Sequence, residues 1–381
     1  MKRNVIKTHA LFVFCAIAGI LLVLAAKRFL VSSRLPWYDE MKDAALLMEG
    51  CSWIIREKRE ELGYPVTRMY DPNATGFIGE ELTSITTTLG NIEAKRSVAL
   101  AGFAALMTRL YREAGLASGD TIVISASGSF PGAFIASLCA AKVMKLRVIA
   151  GLSLGASNWG ANIPGFTILD MYSHLEDRFS VEAAVVSLGG SKDTGNDFGL
   201  ELIEGGREQM IEKMYSSGLP FILEADFSAA VKARMNFYES HAGPGGIKAF
   251  INIGGADVNI GLGVWSLELQ PGINRPGKNT RLSIERSLTD GGCISAFLAK
   301  GLPVIHILNI KTLATAYGMA FDPFPPPEIG SEEMYFQNES SRQKIVFLAA
   351  SVFYIFIFAG TVLLMRKEKR FANNQAKLPR P

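Results

Sequence analysis

Cysteine is sparse in this 381-residue chain, and the signatures of metal and nucleotide chemistry that depend on fixed spacing are missing. The four cysteines, Cys15, Cys51, Cys139 and Cys293, show no paired metal spacing, and no CxxC, HExxH or P-loop pattern occurs. Neither a metal nor ATP nor any other cofactor is therefore signalled. Phe14 precedes Cys15, which is not the context of a lipoprotein cleavage site. The other three thiols form an odd set, which argues against a disulfide framework and for buried apolar cysteines. No basic stripe interleaved with aromatics is present, so nucleic acid is not expected as a partner. Internal repeats and long low-complexity tracts are absent as well.

What the chain does have is apolar surplus, with a mean hydropathy of +0.21 and a net charge of only +3. Two runs account for it. Ala10 to Ala26 is unbroken and flanked by Lys2, Arg3 and Lys7 before it and Lys27 and Arg28 after it. Ile345 to Met365 is long enough for a bilayer core of about 30 Å, and Arg366-Lys367-Glu368-Lys369-Arg370 follows at once. A cleaved signal peptide is the rival reading of the first run. Lys27 and Arg28 directly behind it favour an uncleaved anchor. Basic flanks stay in the cytoplasm, so both termini are expected inside a bacterial plasma membrane and the intervening domain outside it. The expected layout is a cytoplasmic N-terminus (1–9), an anchor (10–26), an extracytoplasmic domain (27–321), a Pro-rich stalk (322–344), a second span (345–365) and a basic tail (366–381).

Within the outer domain, residues 34–62 read as a helix broken by Gly63-Tyr64-Pro65. A second helix starts near Asn91 and runs over Ala94 to Ala114, ending in Gly115. From there, strand-like runs recur at Thr121–Ser125, Arg147–Leu152, Glu182–Leu188, Pro220–Glu224, Ala249–Ile253 and Pro303–Leu308. Helical patterns at Gly205–Ser216, Ser228–Ser240 and Ser283–Ala299 separate them. Alternating strands and helices predict an α/β fold with a mostly parallel, Rossmann-like sheet flanked by helices, carried between the two membrane helices.

The stretch Thr121 to Asp170 organises this domain: a strand, a small-residue loop, a helix, a second strand and a second small-residue loop. Ligands collect at the carboxyl ends of strands in such sheets, which makes these loops the expected site. The first loop, Ser127-Gly128-Ser129-Phe130-Pro131-Gly132, puts hydroxyls at a helix start. It reads either as an anion site or as a tight turn whose serines cap the helix. Gly155-Ala156-Ser157 leads on to Asn162, Thr167 and Asp170.

These residues resemble a small family of poly-γ-glutamate system proteins. Further matches are Leu188-Gly189-Gly190, Glu204-Gly205-Gly206-Arg207, Ile253-Gly254-Gly255 and Gly301 to Asn309, so the likeness covers most of residues 35–330. It implies a membrane-attached accessory protein of bacterial poly-γ-glutamate synthesis or export at the cell surface. The expected partners are the polymer, the membrane and other subunits of the synthase complex. It supplies no catalytic assignment. A second likeness is local: Val123 to Ser129 followed by a helix is similar to the phosphate-binding loop of sugar isomerase domains.

Candidate catalytic residues are Ser127, Ser129, Asp170 and His306; candidate ligand contacts are Gly128, Ser157, Asn162, Lys192, Asp193 and Asp257. A polymer-binding site would use the hydroxyls and Lys192, whose ammonium can meet a carboxylate. A Ser- or Asp-dependent γ-glutamyl hydrolase or transferase would need His306 beside Ser127 or Ser129 as a base. His306 otherwise reads as a core histidine, and Asp170 as a helix cap. Glu201, Glu204 and Arg207 can share one helical face, as a site or as surface ion pairs. A third class of reading is a non-catalytic scaffold of the synthase, acting through its membrane spans.

Overall fold

A computed structural model describes residues 13–21, 24, 32–263, 265–277, 290–338 and 340–375. The chain divides into two units, residues 36–335 and the joined termini, 1–35 with 336–381.

The larger unit is built on a seven-stranded sheet. Its strands are β1 (Thr121–Ser127), β2 (Arg147–Ser153), β3 (Val181–Ser187), β4 (Phe221–Ile222), β5 (Ile247–Ile253), β6 (Gly272–Asn274) and β7 (Val304–Ile307). Their order across the sheet is β4-β3-β2-β1-β5-β7-β6. All neighbours are parallel except β6, a short edge strand antiparallel to β7 that the sequence pattern did not announce. Every residue of β1, TIVISAS, is buried, as expected of a central strand covered on both faces. From β1 the chain builds outwards through β2, β3 and β4, then returns to place β5 on the other side of β1. The order therefore reverses between β1 and β5.

The helices follow from this. They are α1 (Tyr38–Glu61), α2 (Ile92–Val98), α3 (Ala101–Ala114), α4 (Pro131–Val143), α5 (Ile168–Ser173), α6 (Gly206–Ser216), α7 (Phe227–Ser240), α8 (Asp257–Ile260), α9 (Cys293–Ala299) and α10 (Ile310–Tyr317). Pro131, with its φ preset and no N–H to satisfy, opens α4. Apart from Lys142 near its end and Ser137, whose hydroxyl donates to the Ala133 carbonyl, α4 is apolar on all sides, so it is buried between the sheet and the α1–α3 pair. Val123, Ile149, Val185, Phe250 and Val304 carry the face covered by α7 and α9, where Phe250 stacks on Phe297 at 4.6 Å. The β1–α4–β2 and β4–α7–β5 crossovers run in opposite directions across the sheet, and their right-handedness puts α4 and α7 on opposite faces.

Two sequence expectations change. The single helix expected from Asn91 to Gly115 is two, because Leu100 between them takes extended φ/ψ of −81° and 151°. The first piece, α2, is capped by Asn91, whose side chain accepts from Ala94 N at 2.8 Å. Residues 322–335, read as the start of a stalk, pack within the larger unit. Arg96 Nε donates to Asp322 Oδ1 at 2.7 Å, and Met334 and Tyr335 are fully buried. Of the expected helix Ser283–Ala299, residues 283–289 lie outside the described residues.

In the smaller unit, Ser32–Arg34 pairs antiparallel with Phe336–Asn338. A helix, α11 (Ser340–Gln375), follows. Within it Phe347–Lys367 has a hydropathy of 2.3 and is long and apolar enough to cross a membrane. The expected anchor 10–26 falls partly outside the described residues, as do residues 1–9, Lys27, Arg28 and 376–381. The described helical residues 13–21 and 24 meet α11. Cys15 Sγ lies 3.8 Å from Thr361 Oγ1, and a Cβ at Gly19 would come within 2.9 Å of the Tyr354 ring.

Candidate functional site

The reversal between β1 and β5 leaves the loops after these strands diverging, and a crevice opens where they part. A cleft of about 410 Å³ lies there. Ser127 and Ser129 line it from the β1 loop, Gly155 and Ser157 from the β2 loop, and Gly190, Ser191 and Asp197 from the β3 loop. Gly255 to Asp257 follow β5 and Leu308 follows β7; Thr87 to Asn91 and Lys95 close the remaining side.

Close packing of small residues makes this possible. A Cβ on Gly128 would stand 2.9 Å from Ala156 Cβ and 3.0 Å from the Leu154 carbonyl, so the β1 and β2 loops touch through it. Its N–H donates to Ser153 O at 2.9 Å. Gly254, at φ +86°, turns the chain after β5 beside Ser127, whose Oγ a Cβ there would approach to 2.4 Å.

Lys95 is the group the sequence did not single out. It projects from α2 into the cleft and is 3% exposed. Its Nζ donates to the Ser129 carbonyl, lies 2.5 Å from Ser157 Oγ and sits 4.0 Å over the Phe130 ring. Among the described residues it makes no ion pair. Burial without a compensating carboxylate pulls its pKa down to about 7. Ser157 is fixed in turn, because its N–H donates to Ser129 Oγ at 3.0 Å. Gly90 leaves room for the pair; a Cβ there would meet Ser157 Oγ at 3.0 Å and Lys95 Cε at 3.2 Å.

Two acids face the same space. Asp257 accepts from Lys192 N at 2.8 Å and Asp197 from Ser191 N at 2.7 Å. Burial raises the pKa of both, and the charges of Asp197 and Asp193 add to the rise at Asp257.

Four of the sequence candidates thus meet in the cleft: Ser127, Ser129, Ser157 and Asp257. Gly128 shapes it. Lys192 contributes its backbone, at φ +53°, while its side chain is exposed and outside the lining. Asp193 lies beneath, fully buried, accepting from Ser187 Oγ at 2.7 Å and Gly189 N at 3.0 Å, with Arg234 Nη2 3.5 Å away. Burial raises its pKa against the pull of Arg234, Ser187 and Gly189.

Three candidates lie elsewhere. Asn162 is wholly buried and clamps the neighbouring segment, accepting from Glu80 N and donating to Glu80 O, both at 2.8 Å. Asp170 caps α5 through Thr167 and holds Lys213 at 2.7 Å, in a separate shallow depression. His306 does not stand beside Ser127 or Ser129 as a base. Its Nδ1 meets Asn252 Nδ2 at 3.0 Å inside the sheet, and burial pulls its pKa to about 4, so it is neutral. Arg207 donates to Thr194 O at 2.9 Å, and the side chain of Glu201 lies outside the described residues. No cluster of three or more metal-binding side chains occurs among the described residues.

Lys95 carried one usable sign in the sequence, an Asn91 cap that fixes which turn it occupies. Asp197, in a Gly/Asp-rich loop, carried none. Compared with known proteins, the chain matches no family model, no curated protein and no solved structure.

Proposed function

We propose that this chain is a membrane-anchored accessory component of bacterial poly-γ-glutamate synthesis or export, and that its α/β domain binds or processes the polymer outside the membrane. One observation carries the reading: Lys95 sits in a hydroxyl-lined cleft and, among the described residues, has no carboxylate partner. A γ-glutamyl chain brings a carboxylate that can reach the Lys95 cation and an amide for the hydroxyls. The apolar helix Phe347–Lys367, the basic residues Arg366 to Arg370 behind it and the packing of Gly19 against Tyr354 support two adjacent spans with both termini in the cytoplasm.

The test uses the full chain in detergent and a labelled γ-linked glutamate oligomer. Binding strengthens as pH falls through about 7, where Lys95 gains its charge, and Lys95→Met weakens it at least about tenfold and removes that part of the pH dependence. In polymer-forming cells the same variant, present at normal level, lowers surface polymer. Oligomer binding unchanged by Lys95→Met sinks the reading.

A further inference from the structure

We infer that Ser157 and Lys95 form a nucleophile–base pair, so that the cleft performs acyl transfer on an amide rather than only holding it. The substrate class, a γ-glutamyl amide, rests on the functional reading above; the pair itself does not.

Its geometry is that of an activated serine. The Lys95 Nζ to Ser157 Oγ distance of 2.5 Å is within proton-transfer reach. Two further contacts hold the amine in place, the Ser129 carbonyl and the Phe130 ring, and neither can take a proton from it. The Ser129 hydroxyl holds the Ser157 backbone. A lysine serves as a base only when it is desolvated and free of an ion pair, and Lys95 is both. The other titratable groups lining the cleft are Asp197 and Asp257, each bonded to a backbone N–H of the β3 loop.

The step balances within the cleft and water. Ser157 Oγ bonds to the amide carbonyl carbon as its proton passes to Lys95 Nζ. The carbon–nitrogen bond then breaks, Lys95 returns that proton to the leaving amine, and an ester remains on Ser157. Water attacks the ester, giving a proton to Lys95 that is handed back to Ser157 Oγ as the acid leaves. An amine in place of water makes the reaction a transfer. A carboxylate bound at Lys95 would stabilise its ammonium form and so silence it as a base, so the productive complex presents the amide, not the pendant acid, to Ser157.

The experiment treats the full chain in detergent with a fluorophosphonate, which acylation-competent serines attack, and maps the adduct by peptide mass. The adduct forms on Ser157, at a rate that rises with pH through about 7, opposite to the direction of oligomer binding. Ser157→Ala abolishes it. Lys95→Arg, which keeps the charge but cannot release a proton, slows it about 100-fold or more. An adduct on Ser127 or Ser129 overturns the proposal. So does an equal rate in Lys95→Arg, or no adduct at pH 8 in a sample that binds the oligomer. A phosphonyl adduct on Ser157 in a chain that neither binds nor cuts the oligomer leaves the pair standing and removes only the polymer.

Discussion

A single amine decides what the cleft can do, and the same burial that makes it reactive makes it costly. Lys95 titrates near 7 in the folded chain and near 10.5 when exposed. Between these values the unfolded chain holds a proton that the folded chain does not. Stability therefore rises with pH from about 7 to about 10.5, by at most about 1.4 kcal/mol per pH unit, and does not change on this account below 7. Chemical denaturation of the wild type and Lys95→Met across this range reads the effect as a difference that narrows with pH. Parallel curves would mean that Lys95 is solvated. The lysine was hard to recognise in advance. In the string Glu93-Ala94-Lys95-Arg96 it looks like one charge of a solvated helix face, and Arg96 beside it is indeed paired near the surface with Asp322. Which of two adjacent cations turns inward depends on the packing of α2, not on residue type.

Among elements, the strand ends are fastened from below by one side chain of α7. Arg234 is wholly buried; its Nη1 donates to Ser125 Oγ at 3.2 Å and its Nη2 to Ser153 Oγ at 2.8 Å, to Ser187 Oγ and towards Asp193. It thereby ties β1, β2 and β3 together directly under the loops that carry Ser127, Ser157 and Asp197. Arg234→Met leaves the Asp193 carboxylate buried without its counter-charge, and the expected loss is about 3–5 kcal/mol. Adding Asp193→Ala removes the orphaned charge and restores part of that loss, which a double-mutant cycle on the full chain measures. An unchanged or larger loss in the double variant would show that the guanidinium works through its serines alone. The strands were readable because apolar runs with β-branched residues recur between helical patterns. The serine at the end of each of β1, β2 and β3 was readable only as polarity. That Ser125, Ser153 and Ser187 converge on one arginine 47 to 109 residues away is set by parallel register, which pairs Ser153 with Ser187 and places Ser125 opposite Gly151, two residues before Ser153.

For the whole molecule, the two-span reading makes a prediction of its own. Protease added to intact spheroplasts cuts the α/β domain, while a tag placed after Pro381 is protected until the membrane is opened. A tag digested from outside would reverse the orientation drawn from Arg366 to Arg370. Composition and periodicity, which are local, determined the apolar run near residue 350, the alternation of strand and helix, and the small-residue loops at the strand ends. Each of these depends on neighbours a few positions apart, and each is visible in a single string of residues. Tertiary structure alone decided that the strand order reverses beside β1. It also decided that His306 is neutral within the sheet, that Asp170 caps a helix outside the cleft, and that Lys95 meets Ser157 across 62 positions of chain. The physical reason is that a pKa and a catalytic contact arise from burial and from atoms brought together by packing, and sequence spacing carries neither.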